Sequence, residues 1–122
     1  MRPDTDPKSD VEFGQFLDLD LRVGLVVAAP LAEGTHAPSR VLTIDLGPLG
    51  TIESVAQLAL VDEVDLVGHH VIVCRNLGER RIGRYRSQAL TLGTLHPDSP
   101  ADQSQALPLY ADAGASPGDP VF

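Results

Sequence analysis

Five arginines, Arg75, Arg80, Arg81, Arg84 and Arg86, fall within twelve positions that hold a single acid, Glu79. A guanidinium presents a flat fork of donors that bonds phosphate oxygens two at a time and stacks on bases, so this segment could capture a phosphate-rich polymer. Tyr85 sits among the arginines and could stack on a base or a peptide side chain, or simply cover the edge of the fold. The rest of the chain has the opposite sign. The formal net charge is −8, the first twenty residues carry six acids against Arg2 and Lys8, and no lysine or arginine follows position 94. Cation contacts dominate nucleic-acid binding, so the basic segment is the one place where such a ligand could be held.

Other chemistry finds little support. His69 and His70 are adjacent, so on a strand they face opposite sides, and His36 and His96 stand alone in loops. Asp18 and Asp20 share a face, yet nothing nearby supplies an acid–base partner in a contrasting environment. A Gly-rich phosphate loop, a serine elbow and a Cys–His pair are all missing. The expectation is a protein that is not an enzyme and uses no metal or cofactor. The single cysteine, Cys74, lies in an aliphatic run and reads as a buried, inert thiol.

The elements that must position the arginines are short. Residues 1–9 read as a flexible tail and residues 10–122 as one domain, with residues 96–122 as a C-terminal extension holding half of the ten prolines. Ser9 and Glu12 have capping-box spacing and predict a helical turn or two ending near Leu17. Residues 19–29 then alternate with period two, with Leu19, Leu21, Val23, Leu25 and Val27 expected to face the core and Gly24 to mark a bulge or bend. A second strand spans 40–46 with Leu42, Ile44 and Leu46 inward, and a tight Gly-Pro-Leu-Gly turn leads into a third at 51–55. A short helix or helical turn is predicted within 56–66, a fourth strand at 69–75, a basic loop at 76–83, and a fifth strand at 87–95 with Leu90 and Leu92 inward. Five short strands with a small helix between the third and fourth match an all-β, five-stranded Greek-key barrel of the OB-fold type, although an SH3-like barrel or half-sandwich also satisfies the pattern.

An apolar fraction of 43% suffices for a core, but a chain of 122 residues buries only about two-thirds of its unfolded surface, so a dimer would help. No apolar run approaches the roughly 18 to 20 residues that span a bilayer, and residues 1–10 carry acids and prolines where a signal peptide is apolar. A cytoplasmic protein without membrane insertion is expected.

Four motifs occur in register: residues 16–24 (FLDLDLRVG), 42–47 (LTIDLG), 54–57 (SVAQ), and Asn76-Leu77 followed by Arg80-Arg81-Ile82-Gly83 and then Ser87. Together they resemble the tRNA-binding domain family, and within it they are most similar to the CsaA-type secretion chaperones. The resemblance covers about residues 10–95. It implies an OB-fold, a homodimer joined through terminal extensions, and a sequence-tolerant grip on tRNA. For the CsaA-type members it also implies binding of unfolded or exported polypeptides. Carried over by motif, the implied tRNA contacts are Ser54, Gln57, Asn76, Arg80, Arg81 and Ser87. Glu53, Val55 and Gly78-Glu79 depart from the family pattern, and the acidic surface implies modest affinity for RNA. A docking subunit for a synthetase or translocase is a further alternative.

Overall fold

The computed structural model describes residues 6–122. Residues 1–5, and with them most of the expected N-terminal tail, lie outside the described residues. The elements are α1 (Phe13–Leu17), β1 (Leu21–Ala28), β2 (Arg40–Asp45), β3 (Thr51–Ala56), β4 (His70–Cys74), β5 (Arg80–Ile82), β6 (Tyr85–Ser87), β7 (Leu90–Thr91), β8 (Gly93–Leu95) and β9 (Ala106–Pro108). Strands β3-β2-β1-β4-β7 form one antiparallel sheet that curls into a nearly closed, OB-like barrel.

The core is built by period-two alternation on β2 and β4. Leu42, Ile44 and Leu46 are fully buried as expected, and Val71 and Val73 meet them with Val26, Leu58 and Leu66. On β1 the expected facing is reversed in part. Gly24 and Val26 point into the barrel, whereas Leu21 and Leu25 are half-buried on the outside and Val27 is exposed. Space decides this: a Cβ at Gly24 would collide with Ile44 Cγ2, so the glycine lets β1 lie close against β2. The bulge falls at Val27, where the register slips between Val26 and Ala28.

Two further expectations are corrected and one is met. The N-cap is Glu12 rather than Ser9, because the Gln15 side chain accepts the Glu12 N–H at 2.9 Å and sets the helix start three residues later. The segment 56–66 does hold a helical turn, a 3-10 turn at Glu63–Asp65, while Leu58, Val61 and Leu66 enter the core from the irregular path around it. The predicted fifth strand is broken into β6, β7 and β8. The side chain it sends inward is Ala89, and Leu90 is 50% exposed.

The C-terminal extension fills two gaps in the sheet. β2 pairs with β1 only from Leu25 onward, and beside the first half of β1 the tail takes its place: Gly118 N donates to Val23 O, Val23 N to Asp119 O, and Val121 N to Leu21 O. β7 likewise pairs only with the end of β4, and beside its start the tail comes in, with Ala111 N bonding His70 O while Leu109 N bonds Leu92 O after β7. Gly118, at φ +90°, lets the tail pass against Leu46 O, where a side chain would clash.

Candidate functional site

The basic segment is not a loose loop. β5 and β6 form a two-stranded hairpin with Arg80 opposite Ser87, Arg81 opposite Arg86, and Ile82 opposite Tyr85. Opposed residues share a face and neighbours alternate. One face therefore carries Arg80, Ile82, Tyr85 and Ser87, and it turns towards the barrel. The other carries Arg81 and Arg86, both exposed.

Three of the five arginines already have acid partners. Arg75 and Arg22 both bond Asp20 at 2.7 Å, Arg84 bonds Glu33 at 2.7 Å, and Arg86 approaches Glu79 at 3.5 Å. The two guanidiniums, Arg75 first, hold the Asp20 carboxyl below its ordinary value, so this lock is intact above the usual carboxylate range and is lost only as pH falls through it. Arg80 and Arg81 make no ion pair among the described residues.

The hairpin is fastened to the 31–36 loop. Glu33 N donates to the Tyr85 hydroxyl at 3.0 Å, and Arg84 lies 5.3 Å from the Tyr85 ring centroid while pairing with Glu33. The Glu33 N–H, and then Arg84, lower the Tyr85 pKa, whereas Tyr85, more than Glu33, raises that of Arg84.

Between hairpin and barrel runs a groove of about 400 Å³, floored by Val55, Leu90, Leu92 and Ala106, with Ile82, Arg80 and Gln57 at its sides. A second hollow of about 110 Å³ continues it past Arg80 to Leu77. Gln57 and Arg80 thus line one groove. Ser104 and Ala106 belong to the same wall, and Gln57 holds them: its side-chain oxygen accepts from Ser104 N and its backbone oxygen from Ala106 N.

Ser87 lines the second hollow, and the other residues carried over by motif lie elsewhere. Ser54 is fully buried and its hydroxyl bonds Ala89 O at 2.9 Å, while the Ser87 hydroxyl accepts Val55 N at 3.0 Å. With Gln88 N bonding Glu53 O, these bonds close the barrel between β3 and the 87–91 segment. Asn76 joins the start of β1 to the end of β4, accepting Asp20 N at 2.8 Å and donating to Asp18 O at 2.7 Å. Arg81 is exposed but points away from the groove. Sequence reasoning counted Arg86 only as one member of the basic cluster, and it missed the apolar lining at Ile82 and Leu90.

Among the described residues, no three of His, Cys, Asp and Glu gather closely enough to hold a metal ion, and no helix is long and apolar enough to cross a membrane.

No family model matches the chain. Solved structures do resemble it. The chaperone CsaA of Bacillus anthracis strain Ames is 27% identical with a TM-score of 0.80, over 93% of this chain and 100% of that one. The CsaA chaperone protein of Picrophilus torridus is 24% identical with a TM-score of 0.82, over 93% and 100%. A MetRS-related protein of Pyrococcus horikoshii is 19% identical with a TM-score of 0.80, over 94% and 100%. The chain therefore has the barrel fold that CsaA chaperones and a MetRS-related protein share.

Proposed function

We propose that this chain is a non-catalytic, homodimeric OB-fold protein that binds tRNA in a sequence-tolerant way through the β5–β6 hairpin. One observation carries the reading: of the five clustered arginines, Arg80 and Arg81 alone make no ion pair among the described residues, and they project from a hairpin beside an open groove. A hairpin that neutralises about three phosphates gives a log–log salt slope of roughly −2 to −3, or about 16- to 64-fold between 50 and 200 mM salt. Titrating labelled tRNA at those two concentrations should show that slope, and Arg80→Ala/Arg81→Ala should lose about two units of it. Salt-independent or absent tRNA binding by the wild type would remove the reading.

A second reading is binding of unfolded or exported polypeptide. The apolar floor of the groove supports it, as does the 27% likeness to a protein named a chaperone. Titration of an unfolded polypeptide separates the two, because contact with Leu90 and Ile82 would persist at high salt whereas phosphate contacts fade.

Apolar surface at both chain ends supports the dimer. Helix α1 buries none of its residues, Phe13 is 72% exposed and Phe122 is 98% exposed. Large apolar side chains left exposed in this way are what an interaction site would cover. Light scattering at micromolar concentration should return twice the chain mass, and a clean monomer would refute it.

A further inference from the structure

Arg81 and Arg86 stand directly opposite each other on the outer face of the hairpin, and they are the only residues of β5 and β6 on that face. Like charges in this position repel, and a strand pair shaped by folding alone would set an acid against the arginine. The chain has acids to spare, 17 against nine basic residues. It uses them elsewhere: Asp20 serves Arg22 and Arg75, and Glu33 serves Arg84. The outer face has only Glu79, 3.5 Å from Arg86 and exposed like it, which is a weak and screened pair. Arg81 has no ion pair among the described residues.

We infer that Arg81 and Arg86 form a clamp for the phosphate of a phosphodiester backbone, with Glu79 as the internal anion that the phosphate displaces. The inference rests on the RNA reading above and assigns it to a particular face. Opposed Cβ atoms in an antiparallel pair lie roughly 4.5 to 5.5 Å apart, so the two planar forks can converge on one phosphate or on two in succession. Arg80 lies on the other face and belongs to the groove. The two adjacent arginines of the motif therefore serve different surfaces, and Arg86 is the residue that completes the RNA site.

The test compares full-length Arg81→Ala/Arg86→Ala, Arg80→Ala and Glu79→Gln variants by anisotropy of labelled tRNA, with thermal melts alongside. The double variant should bind about tenfold or more weakly at 50 mM salt and lose about two units of salt slope. Its melting midpoint should stay or rise, because a repulsion has been removed. Glu79→Gln should tighten binding, and Arg80→Ala should cost less than the double variant. Inorganic phosphate at matched ionic strength distinguishes sources: failure to displace tRNA assigns the clamp to the polymer backbone, and displacement supports it as a site for phosphate groups in general. Full binding by the double variant, with loss in Arg80→Ala, would overturn the clamp and leave the RNA reading standing in the groove. A wild type that binds neither tRNA nor phosphate would overturn both.

Discussion

Cutting the chain after Pro97 is expected to abolish cooperative unfolding, not to trim an idle end. The tail supplies β9, which pairs with β8 from Gly93 to Leu95, and it occupies the gaps beside β1 and β4 that β2 and β7 leave open. It also brings Gln105, which is 1% exposed and accepts Ala59 N while donating to Pro38 O. Without the tail, backbone groups at Leu21, Val23, His70 and Leu92 lose their partners, as does Gln57 in the groove wall. At a net worth of about 1 kcal/mol per hydrogen bond, the lost bonds sum to roughly the whole stability of a small domain, about 5 to 15 kcal/mol. Circular dichroism on heating should show a broad, non-sigmoidal loss of signal in the truncated chain. A sigmoidal melt within a few degrees of the full chain would mean that the barrel folds on its own and that the tail docks afterwards.

That dependence explains part of what the sequence concealed. The strand β2 was legible because Leu42, Ile44 and Leu46 alternate with residues that are plainly less apolar. On β1 both faces are aliphatic, and the face with more leucine and valine is the outer one, where the tail buries Val23 to 4% exposure. Local periodicity cannot see a cover that arrives some ninety residues later. The same holds at the site. The arginine cluster stood out by composition, yet which arginines remain unpaired depends on Asp20 and Glu33, which lie more than fifty positions away in sequence. The motif named Ser54, Ser87 and Asn76 as contacts, but their hydroxyl and amide groups are spent on closing the barrel and joining strands. A three-residue strand such as β5 is too short to show period two. The split between the Arg80 and Arg81 faces therefore becomes visible only once Ser87 and Arg86 are seen opposite them.

The largest effect of a single substitution is expected at Arg40. This side chain is 9% exposed and has no ion pair among the described residues; instead, its Nε donates to Val61 O at 3.0 Å and its Nη1 to Ala29 O at 2.8 Å. One cation thus ties the end of β1 and the segment after β3 to the start of β2. Two opposing terms decide the outcome of removing it. Relieving a buried charge of its desolvation cost is favourable, but leaving two buried carbonyls without donors costs about 1 to 3 kcal/mol each. In Arg40→Ala the cavity left by the long side chain adds to the second term, so a net loss of roughly 2 to 4 kcal/mol is expected, taking these ranges together. Arg40→Met fills most of the volume and isolates the hydrogen-bond part, which should account for more than half of the loss. Urea unfolding of both variants, with the slope of the transition unchanged, would give these differences directly. The loop that follows Ala29 also carries Glu33, the partner of Arg84, so the hairpin should loosen before the barrel does. Amide exchange at Tyr85 and Arg86 should then accelerate in Arg40→Met under conditions where Leu42 and Val71 remain protected. A methionine variant as stable as the wild type would show that water reaches both carbonyls, and that this end of the barrel is open to solvent.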